Sequence, residues 1–271
     1  MSEKMRADVA LVRQQLCESR EKAQAAIMEG RVYLDERRIN KPSETISPDQ
    51  TLILRTAGTE YVSRGALKLE KAIRVFHADL KDRVVMDIGC STGGFTDVCL
   101  RNGARRVFAI DVGYGQLDWK LRNDPRVTVW ERTNGRYLEP EMFDEISTVT
   151  VMDVSFISIR LILPAASRVM GDEGVFYTLI KPQFEAGKGQ VGKNGVVRDP
   201  SVHEEVLNGI IEYAGTIGLS VAALDYSPIT GPKGNIEFLA EIRKKTDDCD
   251  GIRPEQVRGL VRQAHGEMIR S

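Results

Sequence analysis

Five near-continuous apolar runs constrain the fold of this chain more than any other feature. They cover residues 84–89, 106–112, 127–130, 149–153 and 175–180. Such runs are typical of strands buried on both faces of a parallel sheet, because crossover helices cover both sides. The intervening segments 95–102, 155–170 and 199–217 are long enough for those helices. The pattern predicts an α/β fold with a doubly wound, mostly parallel, Rossmann-like sheet.

The last part of the chain departs from this alternation. Segments 219–225 and 237–242 have strand composition, and a loop containing proline and glycine joins them in place of a helix. Strands joined by so short a connection pair antiparallel, so we expect an antiparallel last strand. A charged connector and a helix from about Pro254 then form a helical extension of the same domain over 246–271.

The first 60 residues have a different pattern. Apolar residues at helical spacing predict two short helices, with Ser19 as N-cap of the second. Two short strands, at 32–34 and 51–54, follow them. We therefore expect a small α+β domain at 1–60, joined by a linker to a larger domain at 61–245.

Composition excludes several classes of protein. The chain has 38 basic and 39 acidic residues, a net charge of -1 and 42% hydrophobic residues, so a nucleic-acid surface would have to be local. Its four cysteines and three histidines are scattered, which argues against disulfide frameworks and metal sites. No apolar run approaches the roughly 20 residues that cross a bilayer, and the charged start does not resemble a signal peptide. We expect a cytoplasmic protein without metal or membrane contacts.

A glycine-rich turn follows the first apolar run. Its Gly89 and Gly93 lack the spacing of dinucleotide-binding turns, as in a dehydrogenase, and the acidic Asp87 would repel a pyrophosphate. Asp111 ends the second run, where a carboxylate can accept both hydroxyls of a nucleoside ribose. These features favour S-adenosylmethionine, although a turn that merely packs tightly is the alternative. The residues expected to contact the cofactor are Asp87, Gly89, Ser91, Gly93, Gly94, Asp111, Asn134 and Asp153, with Thr133 beside them.

Four charged residues occupy positions where charge is costly unless it is used. Lys68 lies in an apolar-periodic helix, and Asp153 and Lys181 end the fourth and fifth runs. Glu237 begins the last strand. Since the carboxyl ends of parallel strands share one edge, and an antiparallel strand begins there, all four can meet in one cleft. Each residue alone would fit a surface ion pair, but the four together predict a catalytic site.

Five motifs resemble those of the TlyA family, also labelled haemolysin A. They are SRGALKL at 63–69, DIGCSTGGFTD at 87–97, DVSFIS at 153–158, IKPQFE at 180–185 and GNIEF at 234–238. Residues 16–43 are similar to the RNA-binding domain of ribosomal small-subunit protein four. The resemblance covers nearly the whole chain. It implies an FtsJ-type fold that methylates a ribose 2'-hydroxyl in ribosomal RNA, with Lys68, Asp153, Lys181 and Glu237 as its catalytic tetrad.

Lys181 could act in two ways in that reaction. Methyl transfer is an in-line displacement, and the attacking hydroxyl needs a proton acceptor. Lys181 is the candidate base. Burial, Lys68 and the sulfonium charge favour its neutral amine, whereas Asp153 and Glu237 favour the ammonium. The alternative is that Lys181 stabilises a developing alkoxide electrostatically while the carboxylates orient it.

RNA contacts are expected from basic residues in two regions. Residues 1–60 contain ten basic and ten acidic residues, so the positive side chains would have to cluster on one face. A glycine-rich basic loop over 185–198 is expected to close over the substrate. A solvated mixed-charge surface and a merely mobile loop are the alternatives. The candidate residues are Arg6, Arg13, Arg20, Lys22, Arg31, Arg37, Arg38, Lys41, Lys188, Lys193 and Arg198.

Two other functions are compatible with such a chain. A non-catalytic, ribosome-associated protein would bind RNA without transferring a methyl group. A membrane-lytic haemolysin would need an exposed amphipathic or spanning segment, and the sequence contains none. The complete charged tetrad favours the enzyme, because binding alone does not require Lys181 beside Asp153.

Overall fold

The computed structural model of the protein describes residues 4–28, 31–34, 37–47, 50–54, 61–187, 189–192, 194–245 and 251–268. Contacts divide the chain into two compact units, Met1–Tyr61 and Val62–Ser271. The candidate linker around 57–59 lies outside the described residues, as do Lys188 and Lys193 and the side chains of Arg37 and Arg38.

The N-terminal unit is a small α+β domain, as the sequence predicts. Its elements are β1 (Met5–Arg6), α1 (Ala7–Arg13), α2 (Arg20–Met28), β2 (Val32–Leu34), β3 (Arg37–Arg38), β4 (Thr45–Ile46) and β5 (Leu52–Leu54). Strand β2 pairs antiparallel with β3 and β5, and β1 pairs with β4. Leu11 and Ile27 from the two helices pack with strand residues in a small apolar core. The Ser19 hydroxyl accepts a hydrogen bond from the backbone N–H of Lys22, so Ser19 is the N-cap of α2.

The larger unit is built on a seven-stranded sheet, counted over the described residues. Its strands are β6 (Val84–Ile88), β7 (Arg106–Ile110), β8 (Val127–Trp130), β9 (Ser147–Met152), β10 (Met170–Ile180), β11 (Leu219–Tyr226) and β12 (Phe238–Lys244). The spatial order is β11-β12-β10-β9-β6-β7-β8. Strands β6 to β10 pair parallel with one another, and β12 runs antiparallel between β10 and β11. The predicted mostly parallel sheet with an antiparallel last strand is confirmed.

Helices cover both faces of this sheet. They are α3 (Ala66–Phe76), α4 (Gly94–Arg101), α5 (Trp119–Arg122), α6 (Leu163–Arg168), α7 (Pro182–Glu185), α8 (Pro200–Thr216) and α9 (Pro254–Met268). The segment 155–170, expected to hold a crossover helix, contains a 3-10 turn at Ile159–Leu161 followed by α6, whose first turn contains Pro164. Helix α9 packs on α8 and β11 through its buried Val257, Val261 and Ala264.

The topology brings distant parts of the chain to one edge. Strands β6, β9 and β10 all end there, and β12 begins there because it runs in the opposite direction. The residues that follow three strands and precede a fourth are therefore neighbours in space. Along the described residues, no helix is both long and apolar enough to cross a membrane.

Candidate active site

A cleft of about 480 Å³ opens at the carboxyl edge of the sheet. It lies among the glycine turn after β6, the start of α3, the ends of β9 and β10, and the loop before β12. Its size falls within the range of small-molecule and cofactor sites. Four predicted catalytic residues line it: Lys68, Asp153, Lys181 and Glu237.

These four side chains form one row of alternating charge. The carboxylate of Asp153 bridges two ammonium groups, with Oδ1 2.6 Å from Lys181 Nζ and Oδ2 3.2 Å from Lys68 Nζ. Lys68 Nζ in turn donates to Glu237 Oε2 at 2.7 Å. Lys68 and Lys181 are 8% exposed at their side chains and Glu237 is 1% exposed. The predicted convergence is thus observed, and the row is neutral when all four groups are ionised.

Burial and pairing act in opposite directions on two of these groups. Burial alone would lower the pKa of Lys68, but Asp153 and Glu237 together raise that pKa above its usual value. Burial alone would raise the pKa of Asp153, but Lys181 and Lys68 hold it below the usual value. Both groups therefore stay charged at neutral pH, because each ion is compensated by an oppositely charged neighbour.

Two polar residues that were not predicted complete the row. Lys181 Nζ donates to the hydroxyl of Ser155 at 2.8 Å, and the amide of Gln183 donates to Glu237 Oε1 at 3.3 Å. Each follows a tetrad member by two residues in a motif that the sequence had already marked. They orient the amine and the carboxylate that they contact.

The glycine turn lines the cleft, and both its backbone conformation and its close neighbours require glycine. Gly89 and Gly93 have φ values of 83° and 96°, a region that favours glycine. A Cβ at Gly89 would lie 3.2 Å from the carbonyl oxygen of Asp153, and a Cβ at Gly94 would lie 2.3 Å from Ser63 Oγ. The turn can approach the tetrad only because these side chains are missing. The alternative that these glycines serve tight packing therefore accounts for part of the role of the turn.

The predicted cofactor residues divide into two groups. Four of them line the cleft: Gly89, Ser91, Gly94 and Asp153. The others lie behind it or beside it: Asp87, Gly93, Asp111, Thr133 and Asn134. The second group supports the turn through the hydrogen bonds and packing described next.

Asp87, expected to contact the cofactor, lies behind the glycine turn and does not line the cleft. Its side chain is fully buried, and Oδ2 accepts a hydrogen bond of 2.6 Å from Thr96 in α4. Burial raises the pKa of Asp87 to about 7, with a further contribution from the charge of Asp153 and against the hydrogen bond from Thr96. Oδ1 has no hydrogen-bond partner among the described residues. Strand β6 is buried on both faces, so this carboxyl lies in the interior.

Asp111 connects the end of β7 to the glycine turn. Its Oδ2 accepts the backbone N–H of Ser91 at 2.8 Å, and its Oδ1 accepts that of Gly113 at 2.7 Å. Asn134 caps the 3-10 turn Gly135–Tyr137 by accepting from the backbone N–H of Arg136. The backbone N–H of Thr133 donates to the carbonyl of Asp111 at 2.9 Å. These residues form one continuous edge beside the turn.

An aromatic pair, of which one ring is exposed, lies at the cleft and was not predicted. Phe156 is 91% exposed and has a φ of 64°, which is costly for a bulky residue. Its ring centroid is 5.2 Å from that of Phe184, and both rings line the cleft. The sequence signal was its position three residues after Asp153 within the DVSFIS motif.

The predicted RNA-binding residues of the N-terminal unit are not equivalent. Arg6 and Arg20 meet at the carboxylate of Asp8. Lys22 pairs with Glu18 one helical turn away. Arg13 and Lys41 are exposed and Arg31 is partly buried; in the larger unit, Arg198 is exposed. Among the arginine side chains that the structure describes, Arg6 and Arg20 are the proposed pair that it brings together.

Comparison with known proteins identifies both units. The profile of the FtsJ-like methyltransferase family matches residues 61–244, and that of the S4 domain matches residues 5–52. The chain is 42% identical over 248 residues to the 16S/23S rRNA (cytidine-2'-O)-methyltransferase TlyA of Mycobacterium tuberculosis, covering 91% of this chain and 92% of that protein. It is 43% identical over 237 residues to hemolysin A of Brachyspira hyodysenteriae, covering 87% and 98%.

A solved structure agrees with these relatives. A Streptococcus thermophilus protein, provisionally named a hemolysin, is 47% identical and superposes with a TM-score of 0.77, covering 100% of this chain and 98% of that one. The relatives extend over the N-terminal unit and the cleft alike. This chain therefore belongs to the FtsJ-like methyltransferase family, in its TlyA group that also carries an S4 domain.

Proposed function

We propose that this chain uses S-adenosylmethionine to methylate a ribose 2'-hydroxyl in ribosomal RNA. The observation that carries the proposal is the buried row Lys181–Asp153–Lys68–Glu237 beside the glycine turn. A hydroxyl group is a poor nucleophile, and a positioned amine with a compensating carboxylate can take its proton. The name of the M. tuberculosis relative, an rRNA (cytidine-2'-O)-methyltransferase, supports the same substrate class.

The donors and acceptors beside the turn fit S-adenosylmethionine. Each oxygen of Asp111 accepts one backbone N–H and keeps a second lone pair, so the carboxylate can still accept the two ribose hydroxyls. Asp87 Oδ1, behind the turn, is a buried acceptor without a partner among the described residues. When bound, the cofactor supplies an electrophilic methyl group. We assign its binding to Gly89, Ser91, Gly93, Gly94, Asp111, Asn134 and Asp153.

We assign the proton of the 2'-hydroxyl to Lys181. Its Nζ lies between Asp153 Oδ1 and Ser155 Oγ, two contacts that leave a third direction for a substrate hydroxyl. The neutral amine accepts the proton, and Asp153 stabilises the ammonium that forms. Lys68, which is itself paired with Glu237, holds Asp153 in place from the other side. A purely electrostatic role for Lys181 is the alternative that the experiment below distinguishes.

The aromatic pair suits an unpaired nucleotide. An exposed phenyl ring beside a catalytic cleft offers a face on which a nucleobase can stack. Phe184 supports the Phe156 ring from 5.2 Å. We propose that a base stacks on Phe156, so that its ribose enters the cleft.

The test is incubation of purified protein with tritiated S-adenosylmethionine and free ribosomal subunits. We expect label in ribosomal RNA, at a site where the methylated ribose makes one phosphodiester bond resistant to alkali. Lys181→Ala should lower the transfer rate at least about 100-fold while titration calorimetry shows nearly unchanged cofactor affinity. Lys181→Arg should lose as much, because arginine keeps the charge but cannot accept the proton.

Other outcomes have distinct meanings. Substantial activity in Lys181→Arg would support electrostatic stabilisation in place of proton transfer. Equal loss of transfer and cofactor binding in Lys181→Ala would remove the catalytic assignment. RNA binding without any label would favour a non-catalytic binding protein, and label on a base would contradict ribose methylation.

A further inference from the structure

The N-terminal unit contains a buried carboxylate that the methyltransferase reaction does not use. Asp8, in the first turn of α1, is 0% exposed at its side chain. Arg6, immediately before the helix, contacts it with Nε and Nη2, each at 3.0 Å. Arg20, the first residue of α2, contacts it with Nε at 2.9 Å. One carboxylate thus joins two arginines that come from different elements.

The hydrogen bonds to Asp8 leave it no capacity for an outside ligand. Besides the three arginine contacts, Oδ1 accepts the backbone N–H of Val9 and Oδ2 accepts the amide of Gln24. These are five donors for two oxygens, which have about four lone-pair sites. The hydrogen bond from Arg6, the largest cause, holds the pKa of Asp8 far below its usual range against the effect of burial. Asp8 is therefore a permanent anion that acts only on its neighbours.

The two arginines, in contrast, keep donors for an outside ligand. Their side chains are 43% and 53% exposed, for Arg6 and Arg20 respectively. No contact within the described part of the chain uses Nη1 of Arg6 or either Nη group of Arg20. The group of three has a net charge of +1, with its negative member buried and both positive members at the surface. This arrangement suits a ligand that is anionic and accepts several hydrogen bonds.

We propose that Asp8 is a positioning residue that holds Arg6 and Arg20 side by side as a clamp for one RNA phosphate. Arginine forks match phosphate oxygens in pairs, and a side chain already fixed by Asp8 loses less conformational freedom when it binds. The identification of the ligand as RNA rests on the proposed function and on the S4 match over residues 5–52. The clamp itself rests on the contacts of Asp8.

The substitution Asp8→Asn separates this proposal from simple charge attraction. It removes a negative charge beside two arginines, so attraction alone predicts tighter RNA binding. The clamp predicts weaker binding, because the amide cannot hold two guanidinium groups in place. The measurement is the Kd of the full chain for purified free ribosomal subunits, by filter binding between about 50 and 200 mM salt. We expect about a tenfold increase in Kd; unchanged or tighter binding would overturn the proposal.

Charge-conserving variants keep the test valid if Asp8→Asn does not fold. Arg6→Lys and Arg20→Lys alter half-exposed side chains and retain the charge, but lose the fork. Each single variant should raise Kd roughly fivefold. Combining either one with Asp8→Asn should raise Kd little beyond the value for Asp8→Asn alone, because the clamp is then already lost. The matched control is Lys22→Gln, also in α2, whose partner is the exposed Glu18. Lys22→Gln should raise Kd less, and its effect should add to that of Asp8→Asn because the two sites are independent. Wild-type affinity in both lysine variants would contradict the clamp.

Failure of this inference and failure of the proposed function have different signatures. In the methylation assay the clamp variants should raise KM for ribosomal subunits more than they lower kcat, a split that a general loss of folded protein would not produce. If wild type binds subunits in an Asp8-dependent way but transfers no methyl group, the clamp stands and the enzymatic proposal fails. If transfer occurs and none of the clamp variants changes Kd, the enzymatic proposal stands and the clamp fails.

Discussion

Asp8 and Asp153 perform the same bridging task with opposite results. Each carboxylate joins two cations from different parts of the chain. Around Asp8 the cations are arginines that remain 43% and 53% exposed. Around Asp153 they are lysines of which only 8% is exposed. The first arrangement presents positive charge to a partner, whereas the second encloses it in a cleft.

The choice of cation explains this difference. A guanidinium remains charged at any accessible pH and presents a rigid fork of donors, which suits recognition of phosphate. An ammonium is a compact charge whose proton can leave when the surroundings favour it, which suits chemistry. The cleft also contains a second anion, Glu237, so that its four charges balance. Within the described residues the Asp8 group contacts no second anion, and it retains a net positive charge. Whether a bridging carboxylate serves binding or catalysis therefore depends on which cations it joins and on how deeply those cations are buried.

The largest effect should come from removing the bridge in the cleft. Asp153→Asn leaves Lys68 and Lys181 without their shared anion, so the proton acceptor loses both its position and the charge that stabilises its ammonium. We expect single-turnover methyl transfer to fall about 1000-fold, with a lower melting temperature because a buried pair is broken.

The control for that variant is Asp172→Asn. Asp172 pairs with Lys244 but is fully exposed, so its ion pair contributes little to stability and its loss should leave the rate unchanged. A decrease of less than about tenfold in Asp153→Asn would mean that the buried row is structural, and the contrast with Asp8 would then disappear.

A smaller effect should follow from the aromatic contact. Phe156→Ala removes the exposed ring at the cleft, and we expect kcat/KM for ribosomal subunits to fall about 10- to 30-fold, the contribution of one stacked base. Cofactor affinity should not change. Phe156→Trp should retain most of the activity, because it restores a stacking face.

Salt dependence separates this contact from the arginine clamp. Stacking releases no counterions, so Phe156→Ala should leave the salt dependence of subunit binding as in wild type. Arg6→Gln should reduce it, since each phosphate contact adds roughly 0.7 to 0.9 to the slope. An altered slope in Phe156→Ala would show that the ring acts on the basic surface and not on a base.

The sequence was informative where charge interrupts an apolar pattern. Asp153 and Lys181 follow buried strands, and the rule that parallel strands end at one edge was enough to bring them together with Lys68 and Glu237. It was uninformative where a group depends on tertiary packing. Asp8 meets Arg20 and Gln24 only because α1 packs on α2, and along the chain it is one of several mixed charges.

The burial of Asp87 could not be predicted for a similar physical reason. A continuous apolar run indicates that a strand is buried on both faces, but it does not say on which face a single polar residue lies. In the structure that residue accepts a hydrogen bond from Thr96 in α4 and does not line the cleft. The exposure of Phe156 could not be predicted, because phenylalanine is an apolar residue that is normally assigned to the core.

Asp87 and Asp8 should make the two units respond to pH in opposite directions. The pKa of Asp8 is lowered by folding, so its contribution to stability is present above the unfolded pKa and is lost as pH falls. The pKa of Asp87 is raised to about 7. Between its usual pKa and that value the unfolded chain has released a proton that the folded chain retains, so stability falls as pH rises, and the full penalty applies above pH 7.

Asp87→Asn should remove that penalty, since an amide resembles the protonated carboxyl that the interior favours and can still accept from Thr96. At pH 8 we expect the larger unit to gain about 1 to 3 kcal/mol and its melting temperature to rise by roughly 3 to 8 °C. At pH 4 the gain should vanish, because Asp87 is then protonated in the folded chain and about half protonated in the unfolded one. Scanning fluorimetry without cofactor measures both, and equal shifts at the two pH values would indicate that packing, and not ionisation, distinguishes this carboxyl from Asp8.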